Sequence, residues 1–214
     1  MFILGDDPVF PPPEESDEDG LLAIGGDLSI TRLLNAYRNG IFPWFSGNVP
    51  MWYSPDPRFV LDPEDLVVSR SMRTLLRRKA FDVTVNKAFA EVISNCSSVP
   101  REGQSGTWIT TDMREAYIEL HRLGHAVSVE AWKEGRLVGG MYGIRMDPFF
   151  FGESMFTLEA NASKYAFIEY VQRAREEGVI LFDCQVHSAH LESLGAIHLP
   201  RSLFLLILRG HLGA

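Results

Sequence analysis

Three apolar segments follow one another between residues 125 and 156, and they constrain the fold more than any other part of the chain. The segments HAVSVEAW and RLVGGMYGI are joined by the turn Lys133-Glu134-Gly135, and Asp147-Pro148 turns the chain into FFFGESMF. Short turns of this kind connect antiparallel neighbours. The sequence therefore predicts three consecutive antiparallel strands.

Further elements with clear signals surround these strands. Helices are predicted over residues 87–96, 112–123 and 161–177, and a short one ends at Leu194. Strands are predicted for FDVTV (81–85), VILFDCQ (179–185) and SLFLLIL (202–208). This order of elements resembles that of the N-acyltransferase fold. We therefore expect an α+β protein in which residues 63–214 form a GNAT-like domain with a mixed, mostly antiparallel sheet flanked by helices.

Residues 1–62 are predicted to form a small N-terminal α/β domain. Residues 1–20 combine three prolines with the acidic run EESDED, which is typical of extended or loop-like chain. Ser29 is a plausible N-cap for a helix from about Ile30 to Asn39, which Gly40 would end. Five aromatic residues then alternate with prolines and form either a small core or a stacking surface: Phe42, Trp44, Phe45, Trp52 and Tyr53.

The composition is that of an ordinary globular protein. Its 214 residues are 46% apolar and 22% charged, enough material for a proper core. The longest apolar run, LFLLIL, is too short to span a bilayer, and the N-terminus lacks a basic signal-peptide region, so we expect a soluble cytoplasmic protein. Cys96 and Cys184 lack the spacing of metal ligands, which favours reduced thiols.

One helix carries a local excess of positive charge in a chain whose net charge is −8. The segment LVVSRSMRTLLRRKAF holds five cations and no acid. Arg70, Arg73 and Arg77 would share one helical face, and Arg78 with Lys79 would extend it. Such a cluster forms either a solvated helix face or a phosphate-binding surface.

Three polar residues lie in apolar strands. Asp183 and Gln185 are two residues apart, so both side chains are expected on one face of the sheet. Glu153 is surrounded by phenylalanine and methionine, where an ionised group without partners would be costly to bury. The three residues indicate a functional site, although a carboxylate that is satisfied structurally remains the alternative for Asp183.

Ten short motifs occur in a defined order from Gly20 to the end of the chain. They are GLLAIGGDLS, GIFPWF, WYSPDPR, SRSMR, GTWIT, LVGGMYG, FFGESMF, NASK, LFDCQ and LGAIHLPR. In wording and separation they resemble the bacterial leucyl/phenylalanyl-tRNA–protein transferase family. The resemblance implies an aminoacyltransferase that moves Leu or Phe, and Met less well, from aminoacyl-tRNA to proteins with N-terminal Arg or Lys. The products are marked for N-end rule degradation.

The resemblance also implies partners and residue roles. An aminoacyl ester is already activated, so we expect no cofactor and no metal. We also expect a monomer. Asp183 is expected to orient the Gln185 amide toward the incoming amine, with Glu153 near the aminoacyl and acceptor groups. Independently of the resemblance, we expect an acid to bind the cationic acceptor residue, with Glu153 as the first candidate and Asp183 as the second. The residues implied to line the aminoacyl pocket are Met141, Phe150, Met155, Phe167 and Tyr170.

The tRNA contacts follow from the same resemblance. Trp44 is implied to stack on the terminal adenine, and the Arg70 to Lys79 cluster to grip acceptor-stem phosphates. The neighbours implied for Trp44 are Tyr37, Trp108 and Tyr117.

Three alternatives stay open at this point. A related leucyltransferase would act on N-terminal Asp or Glu. A CoA-dependent N-acetyltransferase would need a glycine-rich pyrophosphate loop where this chain has TLEANASK. A non-catalytic tRNA-binding module would keep the basic cluster and Trp44 but have no use for Asp183 and Gln185.

Overall fold

The computed structural model describes residues 1–98 and 109–213. Its helices are α1 (Ile30–Arg38), α2 (Arg70–Arg77), α3 (Phe89–Ser98), α4 (Thr111–Arg122), α5 (Ala162–Glu176), α6 (Ala189–Glu192) and α7 (Arg201–Leu212). Its strands are β1 (Phe2–Leu4), β2 (Leu21–Gly25), β3 (Phe42–Pro43), β4 (Met51–Tyr53), β5 (Arg58–Leu61), β6 (Asp82–Val85), β7 (Ala126–Lys133), β8 (Arg136–Met146), β9 (Phe149–Thr157), β10 (Leu181–Gln185) and β11 (Ile197–Leu199). Within this described part, no helix has the length and apolarity that crossing a bilayer requires.

A small sheet is built from the N-terminal residues in the order β1-β2-β4-β3. β1 and β2 are parallel, and the other neighbours are antiparallel. Ser29 caps α1 as predicted, because its side chain accepts a hydrogen bond from the backbone N–H of Arg32. Leu33 and Tyr37 on this helix are buried in one core with Trp52 of β4.

The large sheet has seven strands in the order β11-β5-β10-β9-β8-β7-β6. Its centre is the predicted antiparallel unit β7-β8-β9. β9 and β10 run parallel, and α5 makes the crossover that parallel neighbours require. The remaining described pairings are antiparallel. The predicted α+β class, with a mixed and mostly antiparallel sheet flanked by helices, is confirmed.

The strand predicted for SLFLLIL is wrong, because residues 201–212 form helix α7. Phe204, Leu205 and Leu208 are buried, whereas Leu206 between them is 68% exposed. That spacing places the buried residues on one side of a helix. A short apolar run fits a buried strand and a buried helix equally well, so the sequence pattern alone did not decide between them.

The N-terminal acidic segment is held against α7. Arg209 donates to Oε1 of Glu14 over 2.7 Å, and Arg201 donates to the carbonyl of Ser54 over 2.6 Å. Arg201 also contacts the hydroxyl of Ser16. Residues 1–20 were predicted to be extended or loop-like. They contain strand β1 and a 3-10 turn at Pro13–Glu15 before β2 begins.

The predicted domain division after residue 62 stays a prediction. β5 lies before that position in the chain and pairs with β10 and β11 of the large sheet.

α5 packs closely on β8 because Gly139 has no side chain. A Cβ there would lie 2.6 Å from Cβ of Ala162 and 2.8 Å from the backbone nitrogen of Ser163. This glycine therefore sets how near the start of α5 comes to the sheet.

Candidate active site

A cavity of about 660 Å³ lies where both sheets and the start of α5 meet. One side of its wall is formed by β3 with the residue after it and by the neighbouring strands β8 and β9. The first turns of α5 and the end of β10, with the chain that follows β10, form the rest. Eight residues singled out from the sequence line it together: Trp44, Met141, Phe150, Glu153, Met155, Phe167, Asp183 and Gln185.

One part of the wall is apolar. Met141 of β8 and Met155 of β9 are direct cross-strand partners, and Phe150 and Phe167 line the same cavity. Tyr170 does not line it, contrary to the prediction. The Tyr170 ring instead packs against Phe150, with ring centroids 5.0 Å apart. Tyr170 therefore supports the pocket wall from outside.

Glu153 lies in the cavity wall and accepts hydrogen bonds from two tyrosines. Tyr37 donates to Oε1 over 2.7 Å and Tyr117 donates to Oε2 over 3.0 Å. Burial raises the pKa of Glu153 to about 7, although the two hydroxyl hydrogen bonds act in the opposite direction. The charge of Asp183 raises this pKa further and that of Arg58 lowers it. Ionisation of Glu153 therefore falls near neutral pH.

The two tyrosine hydroxyls also contact each other. Each hydroxyl carries one hydrogen, so two hydrogens serve three contacts while Glu153 is ionised. A proton on Glu153 supplies the third. Burial raises the pKa of both Tyr37 and Tyr117 well above the ordinary value, so both phenols are neutral donors.

Tyr37 and Tyr117, predicted as neighbours of Trp44 at the terminal adenine, contact Glu153 through their hydroxyls. Both side chains are fully buried, because α1 and α4 point them into the protein toward Glu153. Their role beside the adenine stays a prediction. The third predicted neighbour, Trp108, lies outside the described residues.

Asp183 is buried, with 1% of its surface exposed, and forms an ion pair with Arg58. Nε of Arg58 donates to Oδ1 over 2.8 Å and Nη2 donates to Oδ2 over 2.6 Å. Sequence reasoning missed Arg58. The available signal was its place at the start of the apolar strand RFVL, since a buried arginine requires an anionic partner.

Asp183 contacts Gln185 through the backbone, and the predicted orientation of the Gln185 amide stays a prediction. Oδ1 of Asp183 accepts from the backbone N–H of Gln185 over 3.0 Å, and the described residues show no bond from the Gln185 side chain to this carboxylate. Gln185 has φ 58°, and the pairing of β10 with β5 shifts between the two residues. Strict strand alternation therefore ends here, although both residues line the cavity.

Trp44 is the exposed aromatic residue of the cavity wall. It lines the cavity, 39% of its surface is exposed, and its ring meets Tyr53 edge-on at 5.7 Å. The sequence allowed either a small core or a stacking surface for the aromatic residues of this segment, and both environments occur. Phe42, Phe45 and Trp52 are buried in the core, whereas Trp44 offers a face to a ligand.

The basic cluster lies on α2 and the two residues after it. Arg70, Arg73, Arg77, Arg78 and Lys79 are all exposed, and none of them forms an ion pair within the described part of the chain. These residues do not line the cavity. A hydrogen bond joins the segment before α2 to the chain that follows α6: the backbone N–H of residue 67 donates to the carbonyl of residue 194. Residues 190 and 191 of α6 belong to the cavity wall.

The wall also contains polar residues that sequence reasoning did not single out. Lys164, His187 and His190 line the cavity. Burial lowers the pKa of His190, which favours its neutral form. Cys184 lies in the wall as well, and burial raises the pKa of its thiol.

Comparison with known proteins gives one consistent result. The family model described as "Leucyl/phenylalanyl-tRNA protein transferase" matches residues 60–209, and the model of that family's N-terminal domain matches residues 26–56. The chain is 53% identical to a leucyl/phenylalanyl-tRNA–protein transferase of Flavobacterium johnsoniae over 98% of this chain and 99% of the relative. The relative so named from Pseudomonas fluorescens is 54% identical, over 95% and 91%.

Similarity to solved structures is lower. The L-PGS structure from Bacillus licheniformis gives a TM-score of 0.44 at 13% identity, over 78% of this chain and 54% of that one. A GCN5-related N-acetyltransferase from Kribbella flavida gives 0.42 at 13% identity, over 78% and 59%.

Proposed function

The chain belongs to the leucyl/phenylalanyl-tRNA–protein transferase family, and from this we propose that it transfers Leu or Phe, and Met less well, to N-terminal Arg or Lys of proteins. It is an aminoacyltransferase that takes its amino acid from aminoacyl-tRNA. One observation carries the finer proposal: a single cavity joins an apolar wall, an exposed tryptophan and the three polar residues Glu153, Asp183 and Gln185. The products would enter N-end rule degradation. The enzyme would work as a monomer in the cytoplasm.

The apolar wall suits the donor side chain. Two methionines and two phenylalanines surround the space, and thioethers adapt to ligands of different shape. Leucine and phenylalanine differ in shape but are both unbranched at Cβ. We propose that Met141, Phe150, Met155 and Phe167 receive them, with Tyr170 as support.

The reaction is attack of an amine on an ester. The acceptor nitrogen forms a bond to the carbonyl carbon, the bond to the tRNA 3′ oxygen breaks, and the proton lost by the amine ends on that oxygen. Correct positioning alone lowers such barriers by about 7–11 kcal/mol. We propose that the Gln185 side-chain carbonyl accepts a hydrogen bond from the attacking amine, and that Asp183 fixes Gln185 through its backbone.

Glu153 is the stronger candidate for binding the cationic acceptor. Arg58 already neutralises Asp183 with two hydrogen bonds, whereas the partners of Glu153 are uncharged hydroxyls. An ionised Glu153 therefore retains a full negative charge at the cavity. This favours an acceptor that brings positive charge over one that begins with Asp or Glu.

The tRNA would lie across Trp44 and the basic cluster. Stacking of the terminal adenine on Trp44 contributes about 1–3 kcal/mol without reading sequence. The five unpaired cations of residues 70–79 would contact phosphates of the acceptor stem. RNA duplexes are recognised mainly by backbone shape, so little sequence preference is expected.

The deciding assay offers radiolabelled Leu-, Phe-, Met- and Val-tRNA with peptides that begin with Arg, Lys, Asp or Ala. We expect labelled product only with the Arg and Lys peptides, most from the Leu and Phe donors, less from the Met donor and none from the Val donor. Product on the Asp peptide would indicate the related leucyltransferase activity. Transfer from acetyl-CoA, or binding of tRNA without transfer to any peptide, would overturn the proposal.

A further inference from the structure

Arg58 is a fully buried residue that lies behind Asp183, outside the cavity wall. Its guanidinium donates to both carboxylate oxygens of Asp183. We propose that Arg58 is a positioning residue for aminoacyl transfer, acting through Asp183 on Gln185. The inference rests on the roles proposed above for Asp183 and Gln185.

The backbone of Gln185 depends on this carboxylate. Its φ of 58° lies in the left-handed region, which is unfavourable for residues other than glycine. Oδ1 of Asp183 accepts the Gln185 N–H and the Arg58 Nε–H at once. A carboxylate held by two parallel bonds cannot rotate, so it keeps the acceptor oxygen in place for Gln185.

The guanidinium is itself fixed on its other sides. Nη1 donates to the carbonyl of Gly40 over 3.1 Å. The rings of Phe42 and Phe204 lie with their centroids 4.8 Å from the guanidinium carbon. Arginine fits between two aromatic faces and donates along its edge, whereas the point charge of lysine cannot reproduce both contacts. The planar shape of Arg58, and not its charge alone, therefore sets the orientation of Asp183.

A purely structural role is the competing explanation, because removal of one partner from a buried ion pair destabilises a protein. Four variants separate the two: Arg58→Lys, Arg58→Met, Asp183→Asn and the double variant Arg58→Met with Asp183→Asn. Arg32→Lys is the matched control. Arg32 is also fully buried, donates to Asp27 over 3.1 Å and does not line the cavity.

All measurements are made at one temperature at which the variants are folded, as checked by circular dichroism. They give the turnover and the KM for aminoacyl-tRNA. We expect Arg58→Lys to lower kcat about 10- to 100-fold while KM stays within about threefold, because misplacement of a reacting group affects the chemical step. Arg32→Lys should keep kcat within about twofold. The double variant should turn over within about threefold of Asp183→Asn alone, because the effect of Arg58 passes through Asp183.

Each contrary result has a distinct meaning. Wild-type turnover in Asp183→Asn would overturn the role proposed for Asp183 and this inference with it. Impaired Asp183→Asn with unimpaired Arg58→Lys would overturn the inference alone, as would independent losses that multiply in the double variant. Arg58→Met leaves the Asp183 carboxylate buried without its partner and can fail to fold. The double variant removes both buried charges, so it and Arg58→Lys still test the inference.

Discussion

Tyr37 donates a hydrogen bond of 2.7 Å to Oε1 of Glu153, across 116 positions of the chain. The tyrosine belongs to α1, beside the small sheet, and the glutamate to β9 of the large one. The contact therefore joins the two sheets at the cavity. It also stabilises the ionised carboxylate against the cost of its burial, which leaves the pKa of Glu153 at about 7.

The first prediction concerns the rate of transfer as a function of pH. If ionised Glu153 binds the acceptor, kcat/KM for an Arg peptide rises with pH through a limb at about 7. The acceptor α-amine adds its own limb at about pH 7.7–8.0. Glu153→Gln should lose the lower limb and keep the upper one. Exposed Glu192→Gln is the control and should keep both. Persistence of the lower limb in Glu153→Gln would contradict the assignment.

The second prediction concerns stability. The pKa of Glu153 is raised on folding from 4.5 to about 7, so the folded state binds a proton in this window that the unfolded state has released. Its unfolding free energy therefore falls as pH rises across the window, by on the order of 1–3 kcal/mol. Glu153→Gln removes this dependence. Urea unfolding at the two ends of the window measures it, and a wild-type-to-variant difference that is independent of pH refutes it.

The third prediction tests stacking on Trp44. Trp44→Ala should raise KM for aminoacyl-tRNA by about 5- to 150-fold, which corresponds to about 1–3 kcal/mol for one stacked base. Trp44→Phe should give an intermediate value because a smaller ring remains. Trp132→Phe, away from the cavity wall, serves as the control and should leave KM unchanged. An equal KM for Trp44→Ala and the wild type would remove Trp44 from the tRNA contact.

The fourth prediction concerns donor selectivity. Met155 lines the cavity and is only partly buried, so its truncation enlarges the pocket without a large loss of core. Met155→Ala should shift the ratio of kcat/KM for Phe-tRNA over Leu-tRNA toward Phe by about tenfold, and Met155→Phe should shift it toward Leu. Met146→Ala lies outside the wall and should not change the ratio. Shifts of the same sign in both Met155 variants would place the donor side chain elsewhere.

The fifth prediction concerns the basic cluster on α2. Five phosphate contacts give a slope of log affinity against log salt of about −3.5 to −4.5. Replacing Arg73 by Gln should reduce the size of the slope by about 0.7–0.9 and weaken all tRNAs alike. Exposed Arg173, which pairs with Glu177, is the control. Its replacement by Gln should leave the slope intact, whereas equal effects of the two replacements would show that only net charge matters.

The large sheet was predictable because its signals are local. The turns at residues 133–135 and 147–148 fix the antiparallel unit, and α5 between two apolar strands indicates a parallel crossover. α7 was not predictable in the same way. The run LFLLIL carries no polar residue to show a period, so its helical state follows from what it packs against.

The sequence singled out residues that the fold brings together, but it did not reveal all of their contacts. Their place in apolar strands, and then the motif resemblance, indicated Asp183, Gln185 and Glu153, and all three line one cavity. Arg58 escaped because 125 positions separate it from its partner, and no local spacing reports such a pair. Tyr37 is conspicuous as an aromatic residue, yet only the tertiary fold shows that its hydroxyl, not its ring, faces the site.

β5 lies between β10 and β11, both made more than a hundred residues later. While the chain grows on the ribosome, this apolar strand has neither neighbour, and Asp183 does not yet exist to neutralise Arg58. Long-range pairings of this kind form late in folding. If Asp183 and Gln185 act as proposed, a chain that has not yet been made to residue 185 lacks the groups that position the attacking amine.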